Sequence, residues 1–287
     1  MQYRLLSELG SGCFGAVYKV RDKNSGRLYA VKILVPSDDP WDRTMTMARR
    51  GEGVILPKLN HPHIVRTFGS EGWGTPHVEI ALNLMDGNLT TLARTMAHRR
   101  CLLAKQVLGQ MLQALDYLAA RGYVHRDVKP DNIFFAAAPG QGAGSRLPFH
   151  FRLGDFGLCE HESRIDAGAV HGTTVFLAPE LFPSGDEGGR RRRRRRLRWQ
   201  RQSHKSDVWA LYVTALWVLD LNAIWAMASR GGGERDMAIF VHNLAKRVDV
   251  DHRVGALRQM AETDPRKRAS AGEMLKSLDW ARVHELE

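Results

Sequence analysis

The chain reads VHRDVKPDN over residues 124–132 and DFG over residues 155–157, and this ordered pair of motifs is the most informative feature of the sequence. The two stretches bring together carboxylates, a lysine and an amide. Transfer of a phosphoryl group from MgATP needs a carboxylate to orient the acceptor hydroxyl, a cation near the moving phosphate, and amide and carboxylate oxygens for the magnesium ions. Residues of these types stand in the two motifs: Asp127, Lys129, Asn132 and Asp155.

A glycine-rich segment lies upstream, where Gly10–Val17 reads GSGCFGAV and matches the pattern G-x-G-x-x-G-x-V. Glycines let backbone N–H groups approach phosphate oxygens because no Cβ stands in the way. Alone, the pattern would more often be a flexible turn or part of a dinucleotide-binding site. Here strands are predicted on both sides and no helix begins at Gly15, which argues against the dinucleotide-binding fold.

Lys32 lies within the apolar strand segment AVKI. A lysine in such a strand is costly to bury unless its ammonium meets an anion. Two interpretations stay open: a solvent-facing lysine on an edge strand, or a lysine that binds phosphate. Glu52 is the only acid in the helix predicted over residues 44–59, and it is therefore the best candidate partner, although Gly51 and Gly53 weaken that helix.

The composition is that of an ordinary globular protein, with 287 residues, 44% hydrophobic and 25% charged. The three cysteines are odd in number and far apart, which favours a reducing compartment over a disulfide framework or a zinc site. A cytoplasmic or nuclear location, or both, is expected. The start of the chain lacks a long apolar segment, and the apolar residues 208–227 include Asp220, so a buried helix is expected there and no membrane contact.

The formal net charge of +11 is concentrated in one segment. Nine arginines lie between Arg190 and Arg201 with no acid among them, so they account for nine of the eleven charges. This removes the argument from composition for a nucleic-acid-binding protein. Residues 184–203 are expected to form a disordered, basic insert, which is either simply solvated or a site for an acidic partner or a nuclear import receptor. Salt-sensitive nucleic-acid affinity would be an added property.

Residue patterns predict a sheet-rich beginning and a helical remainder. Residues 3–35 alternate apolar and polar residues, which predicts three antiparallel strands joined across the glycines and across Asn24–Gly26. A further strand is predicted over residues 77–84. Helical periodicity dominates beyond it, most clearly over residues 107–118. The Ala/Gly-rich residues 136–148 predict a long hairpin loop between two strand-like runs.

These motifs, with the sequence APE at residues 178–180, occur in an order typical of one family. The chain resembles a eukaryotic protein kinase domain of the serine/threonine type from about residue 3 to about residue 280. The resemblance implies an α+β, bilobal protein kinase-like fold. A small β-rich N-lobe with one main helix (about 1–84) is expected to lead through a hinge (about 83–87) into a larger, mostly helical C-lobe (about 88–287).

The resemblance also implies a role for each candidate residue. Asp127 would be the catalytic base in transfer of the γ-phosphate of ATP to serine or threonine hydroxyls of protein substrates, and Lys129 would neutralise that phosphate. Asn132 and Asp155 would bind Mg2+. Lys32 would hold the α- and β-phosphates and pair with Glu52. The full set of residues expected to bind ATP is Gly10, Gly12, Gly15, Val17, Ala30, Lys32 and Glu52.

Further matches to the family concern the substrate class, the contacts that support the site, and activation. Lys129 and Thr173 indicate the serine/threonine class, and Thr173 is expected to anchor its loop near the catalytic acid. Asp207 is expected to brace the backbone of the loop that carries Asp127, and Glu180 is expected to pair with Arg268. The stretch from Asp166 to His171 contains no hydroxyl where many kinases carry an activating phosphate, so we expect an activity that does not depend on one there.

One alternative function stays open at this stage. The same fold also occurs in pseudokinases, which act as scaffolds and bind partners without catalysis, and this chain could be one of them. The intact set of Lys32, Asp127, Asn132 and Asp155 counts against it, and only the glycines beside Glu52 favour it. The sequence carries no indication of oligomeric state, and a monomer is assumed.

Overall fold

The computed structural model describes the following residues: 2–12, 15–34, 43–75, 77–137, 149–182, 200–219, 243 and 257–277. Contacts divide the chain into two compact units, each built from two stretches of sequence. The first unit comprises residues 1–95 and 130–160, and the second comprises residues 96–129 and 161–287. The lobe boundary expected near residues 83–87 stays a prediction.

The first unit is built on a five-stranded antiparallel sheet with the strand order β1-β2-β3-β5-β4. The three strands predicted over residues 3–35 and the strand predicted over residues 77–84 are confirmed. The turn between the second and third strands is closed by the Asp22 carboxylate, which accepts a hydrogen bond of 2.6 Å from the backbone N–H of Ser25. The strands are β1 (Tyr3–Gly12), β2 (Gly15–Asp22), β3 (Leu28–Leu34), β4 (Thr67–Glu71) and β5 (Val78–Leu82).

The helix predicted over residues 44–59 is not one continuous α-helix. An α-helix, α1, covers Arg43–Arg50, and a π-helical turn follows at Gly51–Ile55 before a 3-10 turn at Leu56–Lys58. The change falls at Gly51, where the backbone passes directly against the carbonyl oxygen of Phe156. The glycine that weakened the predicted helix is therefore the residue that permits this approach.

Strand β4 was not predicted. Its sequence TFGSE shows no sustained alternation of apolar and polar residues, and Gly69-Ser70 resembles a turn. The strand exists because it pairs with β5, and the pairing register shifts between Thr67 and Gly69. An irregular edge strand of this kind forms because it pairs with the neighbouring strand, and its own residues contribute less.

A second, three-stranded sheet completes the first unit in the order β6-β8-β9. Its strands are Gly87–Asn88 (β6), Ile133–Ala137 (β8) and Phe149–Leu153 (β9), and helix α2 spans Leu89–Thr95. The predicted hairpin is confirmed, since Ile133 pairs with Leu153 and Ala137 with Phe149. Residues 138–148 of its predicted loop lie outside the described residues.

The described residues of the second unit are mostly helical. Helices α3 (Arg100–Ala119), α4 (His204–Leu219) and α5 (Ala271–Ser277) are its main elements, with short strands at Tyr123–Val124 (β7) and Glu160–His161 (β10). Every residue of α4 from Ser206 to Val218 is buried, which confirms a buried helix in the described part of residues 208–227. The predicted α+β class is thus confirmed.

The expectations about a membrane span and about the arginine-rich insert can be compared only with the described residues. No helix within the described ranges has both the length and the apolar character needed to span a bilayer. The arginines from Arg190 to Arg198 lie outside the described residues, so the disordered insert and its partner stay predictions.

Candidate active site

A buried charge cluster in the first unit contains three of the predicted site residues. The ammonium nitrogen of Lys32, on β3, lies 2.8 Å from Oε1 of Glu52 and 2.8 Å from Oδ1 of Asp155. The pairing of Lys32 with Glu52 is therefore present as predicted from the sequence. The direct contact between Lys32 and Asp155 was not predicted, because 123 residues separate them along the chain.

The electrostatics of this cluster favour a charged lysine. Burial opposes the charge of Lys32, but attraction to Glu52 and Asp155 outweighs burial and raises the pKa of its ammonium. With both carboxylates ionised, the three groups together carry a net charge of −1. A cation brought close to Asp155 would therefore be stabilised.

The Glu52 carboxylate also connects to the DFG motif. Its Oε1 accepts a hydrogen bond of 2.8 Å from the backbone N–H of Phe156, whose ring is fully buried. Asp155 has a φ of 57°, in the left-handed region that residues other than glycine seldom occupy. Such strain is found where the surroundings fix a functional residue.

A backbone hydrogen bond holds the two predicted metal ligands, Asn132 and Asp155, close to each other. The carbonyl oxygen of Asn132 accepts a hydrogen bond of 2.9 Å from the N–H of Gly154, next to Asp155. The side chain of Asp155 is 31% exposed, which leaves it accessible to a ligand. Amide and carboxylate oxygens are suitable ligands for Mg2+, which commonly completes its coordination with water and substrate phosphates. The residues present therefore fit a magnesium ion.

The glycine-rich segment joins β1 to β2, with Gly12 paired to Gly15 and Gly10 to Val17. Among the described residues, no atom lies within 4 Å of a Cβ added at Gly10 or Gly12, so the backbone at these two positions is open to a ligand.

Val17, Ala30 and Lys32 lie on one face of the sheet. Val17 is paired directly with Lys32 across β2 and β3, and Ala30 lies two residues before Lys32 on the same strand. The sheet therefore places two apolar side chains beside the buried ammonium.

A second cluster, in the second unit, surrounds Asp127. Its Oδ1 accepts hydrogen bonds from the N–H and the hydroxyl of Thr173, at 3.0 and 2.8 Å. Its Oδ2 lies 2.8 Å from the ammonium nitrogen of Lys129, which also donates to the Thr173 hydroxyl at 2.8 Å. Thr173 thus anchors its loop on Asp127, as predicted.

Helix α4 fixes the backbone immediately before Asp127. Asp207, in its first turn, accepts hydrogen bonds from the N–H groups of His125 and Arg126 at 2.7 and 2.9 Å, as predicted. Burial raises the pKa of Asp207 to about 7, although these two bonds and the charge of Arg126 act in the opposite direction. Arg126 has a φ of 69°, so the brace holds a strained residue immediately before Asp127.

Sequence reasoning missed Gln202. Its buried side-chain amide accepts a hydrogen bond of 3.1 Å from the N–H of His171 and donates one of 2.7 Å to the carbonyl oxygen of the same residue. Both bonds fix the backbone two residues before Thr173. A single glutamine at the end of an arginine-rich run gives no recognisable signal in the sequence.

We expect Gly51→Ala to lower the free energy of unfolding by about 1–3 kcal/mol, the usual cost of overpacking. The added Cβ would lie 1.9 Å from the carbonyl oxygen of Phe156, a backbone atom that no rotamer change can move away. Urea unfolding measures the effect. Gly69→Ala is the matched control, because no atom of the described residues lies within 4 Å of its added Cβ. Equal stability of the two variants would contradict the close packing at Gly51.

Comparison with known proteins gives consistent matches. The family model described as "Protein kinase domain" matches residues 3–280. The serine/threonine-protein kinase SSK22 of Saccharomyces cerevisiae is 27% identical over 298 residues, which cover 96% of this chain and 21% of that protein. The serine/threonine-protein kinase AtPK2/AtPK19 of Arabidopsis thaliana is 29% identical over 184 residues, 62% of this chain and 36% of that protein.

A third relative, the Aurora kinase of Saccharomyces cerevisiae, is 28% identical over 220 residues, 76% of this chain and 52% of that protein. The matches to these three relatives thus cover between 21% and 52% of the relatives' own length.

Proposed function

Because the chain belongs to the protein kinase family, we propose that it transfers the γ-phosphate of MgATP to serine and threonine hydroxyls of protein substrates. Its resemblance to a serine/threonine protein kinase domain is confirmed by the family match and by the names of its relatives. The observation that supports activity most is the buried Lys32 ammonium between Glu52 and Asp155. A cation held in this way is ready to meet phosphate oxygens without reorganisation.

Binding of the nucleotide is assigned to the first unit. The Lys32 ammonium would contact the α- and β-phosphates while Glu52 holds it in place, and the open backbone around Gly10 and Gly12 would cover the phosphates. Asn132 and Asp155 would hold Mg2+, which when bound neutralises charge on the phosphates.

Orientation of the acceptor is assigned to Asp127. Its carboxylate would accept a hydrogen bond from the substrate hydroxyl and take up its proton as the new P–O bond forms and the bond from the γ-phosphorus to the bridging oxygen breaks, which releases ADP. Thr173 and Lys129 hold the carboxylate by three contacts of 2.8–3.0 Å, so little rotational freedom is lost when the substrate binds. Lys129 would also face the transferred phosphate.

The alternative is a scaffold that binds nucleotide or partners without transfer. The reason to consider it was a loose helix around Glu52, and this reason is weaker because the ion pair between Lys32 and Glu52 is formed. The direct test incubates the protein with γ-labelled ATP and a mixed protein substrate, with magnesium or with a chelator, and identifies the labelled residues. Label on serine and threonine that depends on magnesium supports the proposal. Nucleotide binding without transfer would favour the scaffold, and label on tyrosine alone would contradict the residue class.

We expect Lys32→Met to reduce phosphate transfer by roughly 10²–10³-fold, the usual effect of removing one preorganised electrostatic contact in an active site. Methionine fills a similar volume in the apolar strand but leaves Glu52 and Asp155 without their shared cation. Steady-state kinetics with varied ATP measures the loss. Lys58→Met, at an exposed position, is the control and should keep wild-type kinetics. Similar rates for both variants would remove Lys32 from the proposed mechanism.

A further inference from the structure

The segment that carries Glu52 is held from two sides through the glycines that flank this residue. On one side, Gly51 packs on the backbone of Phe156. On the other side, Gly53 packs on the indole ring of Trp73, where a Cβ would lie only 1.8 Å from Cη2 of the ring. A side chain at either position would force the segment and its neighbour apart.

The backbone conformation of this segment needs such support. Residues Gly51–Ile55 form a π-helical turn, a rare and less favourable geometry than the α-helix that precedes it. Glycine at two of its five positions adds conformational entropy to the unfolded chain. The turn therefore persists through its contacts with surrounding residues rather than through its own preference.

Trp73 is itself held in place by the turn between β4 and β5. Its Nε1–H donates a hydrogen bond of 2.8 Å to the hydroxyl oxygen of Ser70. The turn is closed by Thr75, whose N–H donates to the carbonyl oxygen of Gly72 at 2.9 Å and whose hydroxyl lies 2.9 Å from the carbonyl oxygen of His77. The ring is thus carried by a turn whose described residues are hydrogen-bonded to one another.

The same turn contacts the end of helix α1. The guanidinium of Arg49 donates a hydrogen bond of 3.2 Å to the carbonyl oxygen of Thr75. The turn therefore touches the helical segment at Arg49 and at Gly53, on both sides of Glu52 along the chain. Because 42% of Trp73 is exposed, its burial contributes little to the core of the sheet.

We propose that Trp73 is a positioning residue for the ion pair between Lys32 and Glu52. The ring holds Gly53, and with it the π-helical turn, so that Glu52 stays against Lys32 without a bound partner or a phosphate. This inference rests on the proposed function, because the ion pair matters for the reaction only if Lys32 binds the phosphates of ATP.

The test is a double-mutant cycle with Trp73→Ala and Gly53→Ala. Each single change is expected to raise the KM for ATP and lower kcat/KM by roughly 10–100-fold, since small misplacement of a positioning group has effects of this size. The KM for the protein substrate is expected to stay unchanged. The methyl group of Gly53→Ala displaces the ring, so the double variant should be no worse than the more affected single variant. Trp73→Phe keeps a ring but loses the bond to Ser70, and it should retain more activity than Trp73→Ala.

Phe68→Ala is the matched control, because Phe68 is an aromatic residue on the same hairpin, 49% exposed, and paired with Tyr29 rather than with Gly53. Hydrogen exchange of the amides of residues 51–55 gives a second readout that does not need catalysis, and it should speed up in Trp73→Ala but not in Phe68→Ala. The proposal is overturned if Trp73→Ala matches Phe68→Ala in exchange and in the KM for ATP, or if the effects in the double variant multiply. A wild-type protein without activity would overturn the proposed function, while exchange would still decide whether Trp73 holds the turn.

Discussion

Replacing Asp127 with asparagine is expected to lower the rate of phosphate transfer by roughly 10²–10⁴-fold, the range for loss of a general base. The change keeps the shape of the side chain, so the amide oxygen can still accept the hydrogen bonds from Thr173. The amide nitrogen, however, would face the Lys129 ammonium, which lies 2.8 Å from the Oδ2 that it replaces. Two donors cannot share this contact, so the variant loses both the base and one of the two contacts that hold Lys129.

Single-turnover transfer from labelled ATP measures this loss directly, and thermal unfolding checks that the variant is folded. Asp22→Asn is the matched control, because Asp22 is an acid in the exposed turn between β2 and β3. We expect the control to react at the wild-type rate. A rate for Asp127→Asn within threefold of the control would show that another group accepts the proton, and it would remove Asp127 from the mechanism.

Replacing Arg268 with alanine is expected to lower the free energy of unfolding by about 3–5 kcal/mol, since it leaves a buried carboxylate without its partner. The guanidinium of Arg268 is 0% exposed and binds both carboxylate oxygens of Glu180, at 2.8 and 2.7 Å. It also donates to the carbonyl oxygens of Lys205 and Glu262, at 3.0 and 2.8 Å. A loss of this size is a large part of the 5–15 kcal/mol that typically stabilises a protein.

Urea unfolding of the purified variants tests this expectation. Arg266→Ala is the matched control: Arg266 also contacts an acid, Asp264, at 3.0 Å, but its side chain is 89% exposed. Solvent screens that exposed pair, so its loss should change stability far less than the loss of Arg268. In the double variant Glu180→Ala/Arg268→Ala no unpaired charge remains, and the loss should be smaller than the sum of the two single losses. Additive losses, or equal stability of Arg266→Ala and Arg268→Ala, would contradict a coupled buried pair.

The parts of the site that could be predicted are those in which chemistry leaves little choice of residue. A buried lysine needs a carboxylate, and Glu52 was the only acid in the predicted helix, so the contact with Lys32 followed from the sequence. A buried side chain of this kind indicates its partner through its cost of burial. The bracing role of Asp207 was instead implied by the resemblance to protein kinases, and its carboxylate does accept hydrogen bonds from the backbone of His125 and Arg126.

The parts that could not be predicted depend on packing between segments far apart in sequence. Gly51 and Gly53 were interpreted as weak points in a helix, although they allow Phe156 and Trp73 to approach the backbone. Helix propensity gives the free-energy cost of a glycine in a helix. It does not indicate which distant residue packs into the space that the missing side chain leaves. Strand β4 was missed for a related reason, since its pairing with β5 overrides the turn-like residues Gly69-Ser70.

The charges around Lys32 have a thermodynamic consequence for the proposed reaction. With both carboxylates ionised, Glu52 and Asp155 share one ammonium, so a nucleotide that binds alone adds its own negative charge to a region that already has an excess. Binding of the nucleotide and of a divalent cation is then cooperative, and by linkage each ligand must raise the affinity of the other by the same factor. Uncomplexed ATP should therefore be a poor competitor of its magnesium complex, and the effect should weaken as ionic strength rises.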